Sequence, residues 1–347
     1  MQNLSLQFPP SLLERQRLVR PKSYFQTGGV CRGIFEPKNV SELSHTLRWF
    51  SECGYPYFVL GAGSNSLISD LSYKGYVLSM AGLNALSSPL PNTVACGAGV
   101  PNYSVTEYAA SQNLSGLEWM HCLPGQIGAT TRMNARCYGS EISEVVYTII
   151  TVTATGELRH YDANDDVFHG YKDTIFMSNG EVIAEVLLYL PVSKPIEEIC
   201  ATMEKYRLDR RAKKQFSYPS CGCVFKNDYS EDVGVAAGFL LDKAGAKSLS
   251  YGSAEGKAWV SPYHGNFIFH KGEALSEDII QLSLAMRERV FSYCGVWLAY
   301  EMEFLGDFPP ALWQKVKEER PLDKAPGKLA ALRAAQKEFR LRSSNSL

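Results

Sequence analysis

Apolar residues follow two rhythms along this chain. In EPKNVSELSHTLRWFSECG, Leu43, Leu47 and Phe50 recur at helical spacing on one face. Asn39 stands where an N-cap belongs, Glu42 follows it as in a capping box, and Gly54 is placed to end the helix. The short run YFVL then predicts a strand that opens into the loop GAGSNS at 61–66. A second helix is predicted from Ser276, where Glu277 and Asp278 suit the positive end. Ile279, Leu282, Met286 and Val290 share its face, and Gly295 stops it. In VWLAYEMEFLG the rhythm changes. Val296, Leu298, Tyr300, Met302 and Phe304 alternate with Trp297, Ala299, Glu301 and Glu303, which predicts a strand with one apolar face.

Between these elements, strand and helix patterns alternate through glycine-rich turns such as CGAGVPN and LPGQIGA, with no repeat of fixed period. Pro191 and Pro195 bracket a boundary, after which IEEICATMEKYRLDRRAKKQ reads as a polar, basic helix. The expected organisation is a first domain at 1–195, a second at 196–306, and a tail at 307–347. The second contains PSCGCVFKND, a helical VAAGFLLDKAGAK and a strand-like KAWVSPYHGNFIFHKG. The tail carries the basic amphipathic stretch KLAALRAAQKEFRLR and reads as a surface appendage.

Composition removes several functional classes. With 45% apolar residues the chain is globular, and a net charge of −1 offers nucleic acid no broad basic surface. No run approaches the ~18 apolar residues of a membrane span, and the N-terminus has no signal-peptide core. Nine scattered cysteines, an odd number, fit reduced thiols in a cytoplasmic protein. Only Cys221 and Cys223 form a close pair, the histidines have no ligand spacing, and no metal is expected.

GAGSNS follows a strand, but the Rossmann fingerprint needs a glycine where Ser66 stands and an acid about 20 residues on. No Asp or Glu occurs in 71–106, which disfavours that fold. The two glycines, with Ser64 and Asn65 as local donors, still suit a pyrophosphate; a plain tight turn would look the same.

The order of the motifs is more specific than any one of them. LGAGSNSLISD, GLEWMHCLPGQIGATTRMNARCYG at 116–139, GYKDTIF at 170–176, PSCGCVFKND, SPYHGNFIFHKG and GVWLAYEMEFLG together resemble the UDP-N-acetylenolpyruvoylglucosamine reductase family, from about residue 25 to 306. The resemblance implies an α+β chain: a two-lobed FAD-binding domain of the non-Rossmann, FAD-linked oxidase/reductase type, its lobes split near 78, then a smaller α+β substrate domain. It implies that FAD is held by Gly61, Ala62, Gly63, Ser64, Asn65 and Ser66, and by Pro124, Gly125, Gly128, Asn134, Arg136 and Tyr138. NADPH would reduce the flavin and leave, and UDP-N-acetylglucosamine enolpyruvate would take its place. The product would be UDP-N-acetylmuramate for peptidoglycan synthesis in the bacterial cytoplasm, made by a monomer.

By the same resemblance, the family's proton donor, a Ser or sometimes a Cys, falls on Cys223 of GCVFKN, and its final-strand glutamate on Glu301. A thiol with an ordinary pKa near ~8.5 is mostly protonated at neutral pH and yields its proton more readily than an alcohol. Cys221 has no such match and reads as a bystander. The family's Tyr-Arg becomes Tyr171-Lys172, which keeps the charge and loses the planar two-pronged grip on a carboxylate. Arg136 replaces a small residue of the flavin loop and Thr131 a usual proline. Arg136 has three readings: contact with FAD phosphate, compensation for the missing arginine, or solvent. Lys226 and Asn227 match substrate-facing positions, and His264 and Asn266 look similar but also suit hydrogen-bonded core roles. Two rivals stand beside the reductase: an FAD-linked oxidase or dehydrogenase of a small alcohol or sugar, and an inactive flavin-binding regulator, for which Lys172 is the best argument.

Overall fold

A computed structural model describes residues 12–162, 164–253, 257–323 and 326–344. The chain divides into two compact units: residues up to 18, 30–63 and 72–212 form one, and 19–29, 64–71 and 213 onward form the other.

The first unit holds two sheets. One has the order Leu12–Leu18, Val30–Phe35, Tyr73–Ser79, Tyr57–Leu60, the first pair antiparallel and the others parallel. The helix Val40–Cys53 supplies the crossover that a parallel pair requires. Its ends are set locally. The Asn39 side chain accepts from Glu42 N at 2.9 Å, and Gly54 closes the helix in the left-handed region at φ 64. The other sheet is antiparallel, in the order Leu158–Asp162, Val146–Val152, Val182–Tyr189, Thr93–Gly97, Leu86–Ser87. Leu43, Leu47 and Phe50 pack in one apolar cluster with Val94, Ile149 and Val186, so both sheets share a core.

The helix Ile196–Ala212 packs with this first unit rather than opening the second. Ile199 and Met203 bury against Ala110, and its C-terminal half holds residues 137–138.

The second unit joins the antiparallel strands Ser250–Tyr251, Ala258–Val260 and Ile268–Phe269 to the helices Ala237–Lys243 and Ser276–Cys294. The predicted strand at 296–304 is only partly regular. Val296, Leu298 and Met302 are buried on one face, but ladder pairing is confined to Glu303–Leu305, parallel to Ser66–Ile68. The tail also differs from expectation. Leu312 and Val316 of the helix Pro310–Val316, and Leu329 and Leu332 of Pro326–Ser344, are buried in the second unit's core. It is an integral part of that unit, not an appendage.

Candidate functional site

In the first unit, the two glycine-rich loops lie side by side. The strand Tyr57–Leu60 ends at Gly61, where a Cβ would meet Gln126 Oε1 at 3.3 Å and Ala129 Cβ at 3.4 Å. Residues 125–128 are laid along 98–102 by three backbone bonds: Asn102 N to Gly125 O, Ile127 N to Val100 O and Gly128 N to Ala98 O. At Gly128 a Cβ would sit 2.6 Å from Ala98 Cβ, so only glycine permits this approach. The Asn102 amide locks the same loop, donating to Leu123 O and accepting from Thr130 Oγ1. Among the described residues, the buried Gln126 Oε1 has no hydrogen-bond partner. An orphaned buried acceptor costs about 1–3 kcal/mol. The pair of loops therefore fits a ligand that brings N–H or O–H donors to it.

The next stretch is folded by its own polar groups. Asn134, buried at φ 40, donates from Nδ2 to Gly170 O at 3.0 Å and accepts from Ser143 N at 3.3 Å. Thr174 Oγ1 donates to Arg132 O, so 132–134 is tied to 170–174 at two points. Lys172 is the second residue of a two-residue turn between Phe168–Gly170 and Asp173–Thr174, 9% exposed and held at φ 55. A buried non-glycine residue there is strained and persists only where its surroundings determine it. Arg136 is exposed and opens a hairpin whose turn is Tyr138-Gly139, at φ 53 and 90 as a tight two-residue hairpin turn requires.

Tyr138 has a second commitment. Its hydroxyl donates to Asp209 Oδ2 at 2.7 Å, and its ring stacks on Tyr206 at 4.1 Å. Burial, then the Asp209 carboxylate, pushes its pKa well above the usual phenol range. Arg210 Nη2 donates to Cys137 Sγ at 3.0 Å. These ties were not visible in sequence, where the stretch holding Asp209 and Arg210 reads only as a polar, basic helix.

In the second unit, a short extended segment at 223–226 organises the remaining candidates. Cys223 bridges Phe267 on one side, and Phe225 bridges Tyr300 on the other. Lys226 N donates to Ala299 O at 2.8 Å, while Val224 O accepts from both Glu301 N at 2.9 Å and Met302 N at 3.1 Å. Two residues thus oppose one, a bulge-like arrangement that bends a strand and re-aims its side chains. It falls at Glu301, and it explains why the alternating segment does not form one continuous ladder. Asn65 Nδ2 donates to Glu301 O at 2.9 Å and Asn65 O accepts from Glu303 N, which brings part of the 61–66 loop to the same place.

Cys223 is half-buried and Cys221 buried, with Gly222 between them at φ 79. Burial first, then the neighbouring Cys223 and Glu301, pushes the Cys221 thiol far above its ordinary pKa. Cys221 is thereby an inert neighbour.

Two expected substrate ligands also carry structural work. Asn266 is buried, and its amide accepts from Phe225 N at 3.0 Å and donates to Phe225 O at 2.8 Å, clamping the 223–226 segment. Asn227 Oδ1 accepts from Ala237 N at 3.0 Å, at the start of the helix Ala237–Lys243, and Nδ2 donates to Tyr229 Oη. His264 Nδ1 accepts from Asn266 N at 3.3 Å. Its pKa falls to about 4, chiefly through burial, with Asp242 opposing and Lys247 and Lys213 adding to the fall. It is neutral at physiological pH. Among the described residues no group of three or more His, Cys, Asp or Glu is placed to hold a metal ion.

Comparison with known proteins follows this geometry. Residues 31–162 match the family described as FAD binding domain, and 214–305 match UDP-N-acetylenolpyruvoylglucosamine reductase, C-terminal domain. The enzyme named UDP-N-acetylenolpyruvoylglucosamine reductase from Treponema denticola is 32% identical, over 87% of this chain and 96% of its own. Its namesake from Carboxydothermus hydrogenoformans is 31% identical over 88% and 98%. The crystal structure of UDP-N-acetylenolpyruvylglucosamine reductase from Thermus caldophilus superposes with a TM-score of 0.68 at 28% identity, covering 83% of this chain and 97% of that one.

Proposed function

Because the chain belongs to the UDP-N-acetylenolpyruvoylglucosamine reductase family and is an oxidoreductase of that kind, we propose that it reduces UDP-N-acetylglucosamine enolpyruvate to UDP-N-acetylmuramate with NADPH. The match to the FAD binding domain family and the orphaned acceptor beside Gly61 support FAD as the resident cofactor. Gly61, Gly63, Gly125 and Gln126 of the first unit would hold it. When bound, FAD would supply the hydride chemistry, with NADPH as the source and the terminal alkene carbon as the acceptor.

What remains belongs to the side chains. Once the alkene has gained hydride, negative charge spreads from the adjacent carbon onto the carboxylate. Each donor aimed at that charge lowers the barrier by ~3 kcal/mol. Lys172, whose ammonium replaces the family arginine, and Glu301, as a carboxylic acid O–H or through a water it holds, are the groups assigned to it. Cys223 then gives its S–H proton to the carbon next to the carboxylate and is left as thiolate. One observation carries the pairing: the bulge opposite Val224 puts Glu301 beside the segment that bears Cys223.

The test is product identification. The FAD-loaded protein, given NADPH and the enolpyruvyl sugar nucleotide, should yield UDP-N-acetylmuramate, two hydrogens heavier by mass spectrometry. NADPH consumption without that product would sink the reading. Lys172→Ala should slow flavin reoxidation by substrate about 100-fold. An unchanged rate would remove Lys172 from the mechanism.

A further inference from the structure

One buried cation links the tail to the bulge that carries Glu301. Arg287, on the helix Ser276–Cys294, is fully buried. Its Nη1 donates to Val316 O and its Nη2 to Glu318 O, both at 3.0 Å. The guanidinium carbon lies 4.2 Å from the ring centroid of Trp297 and 4.7 Å from that of Tyr300. Trp297 is held in turn, donating from Nε1 to Glu318 O at 2.7 Å and stacking under Arg320 at 4.0 Å. Arg320 pairs with both Glu288 and Glu318.

Tyr300 is the point where this network meets the candidate site. Its hydroxyl shares a 2.9 Å hydrogen bond with Ser283 Oγ, and its ring lies 5.1 Å from that of Phe225. Across the backbone it bridges the same Phe225, two residues from Cys223, and it immediately precedes Glu301. A planar guanidinium can serve two carbonyls through its edge while its face covers an aromatic ring; an ammonium cannot do both. A bulge is a place where register can slip by one residue, which turns a side chain to the opposite side. Holding Tyr300 from three directions fixes that register.

We propose that Arg287 is a positioning residue for the reduction. Acting through Tyr300, it sets residues 299–302 against 224–226, and with them the place of Glu301 relative to Cys223. The 307–323 segment contributes by supplying the carbonyls that orient the guanidinium. The inference rests on the assignment of Cys223 and Glu301 made above.

The experiment separates the two half-reactions in the full-length, FAD-loaded protein. In Arg287→Lys, anaerobic bleaching by NADPH should stay within about twofold of wild type. The limiting rate of reoxidation by saturating enolpyruvyl sugar nucleotide should fall by about tenfold or more, with the half-saturating concentration changed less than about threefold. Tyr300→Leu, which keeps the arginine's carbonyl bonds, should show the same split, and it decides the matter alone if Arg287→Lys does not fold. Equal losses in both half-reactions, or in neither, would reduce Arg287 to a purely structural role and overturn the proposal. Wild-type flavin that is bleached by NADPH but never reoxidised by this substrate would instead overturn the assigned function, and the positioning role with it.

Discussion

Two buried carboxamides, one in each unit, do opposite things. Asn266 is satisfied at both ends by the Phe225 backbone and turns 223–226 into a fixed extended segment. Gln126 is also buried, beside Gly61, yet its carbonyl oxygen has no partner among the described residues. Around the segment that bears Cys223, the buried amide is consumed by backbone. Where a cofactor is to complete the structure, an acceptor is left open, at a cost the ligand recovers on binding. Nearby, Asn65 and Asn227 secure backbone in the second unit, while at Gly128 of the first only glycine lets 98–102 approach.

The largest effect expected from this comparison is on chemistry in the second unit. Cys223→Ala should lower the rate of flavin reoxidation by substrate on the order of 10²–10⁴-fold and leave bleaching by NADPH intact. Cys223→Ser should recover part of it. A Cys223→Ala enzyme at full rate would place the proton donor elsewhere.

Next come the two amides themselves. Asn266→Ala strands a buried N–H and C=O of Phe225 and should destabilise the protein by about 3 kcal/mol, seen as a Tm lower by several degrees with or without FAD. Gln126→Ala should leave the FAD-free protein at least as stable as wild type while weakening FAD by about 1 kcal/mol, roughly fivefold in Kd. If Gln126→Ala lowered stability without FAD and left FAD affinity alone, the distinction between a closed and an open amide would be lost.

His264 gives a graded, pH-dependent version of the same contrast. Its folded pKa, about 4, lies below the ordinary value of 6.5. Between those values the unfolded chain binds the proton first, so stability must fall as pH drops from 6.5 toward 4 and level off below. The contribution is at most about 3 kcal/mol. Urea unfolding across this window should show a flatter pH dependence in His264→Gln than in wild type. Equal slopes would mean that the imidazole titrates alike in both states.

What could be read from sequence was what depends on neighbours in sequence. Asn39, Glu42 and Gly54 announce the helix Val40–Cys53 because caps act within one turn. The alternation at 296–304 gave the correct buried face, since burial follows the period of the extended chain. The bulge at Glu301 was not legible, because it exists only through Val224, far away in the chain. Likewise the helix Ile196–Ala212 joins the first unit through Tyr138 and Asp209, 71 residues apart, a pairing no local pattern encodes. The tail carried its signal in Leu312, Val316, Leu329 and Leu332, but helical spacing alone does not say which surface a stripe will find. The motif order was enough to indicate the family. The second roles of Asn227, Asn266 and Tyr138 required their partners to be seen.

The most direct measurement is an anaerobic double-mixing experiment on the wild-type protein. FAD-loaded enzyme is first mixed with one equivalent of NADPH, and the yellow absorbance is followed to full bleaching. UDP-N-acetylglucosamine enolpyruvate is then added. The account predicts that oxidised flavin returns in amounts equal to the UDP-N-acetylmuramate formed. Flavin that stays bleached with this substrate would contradict it.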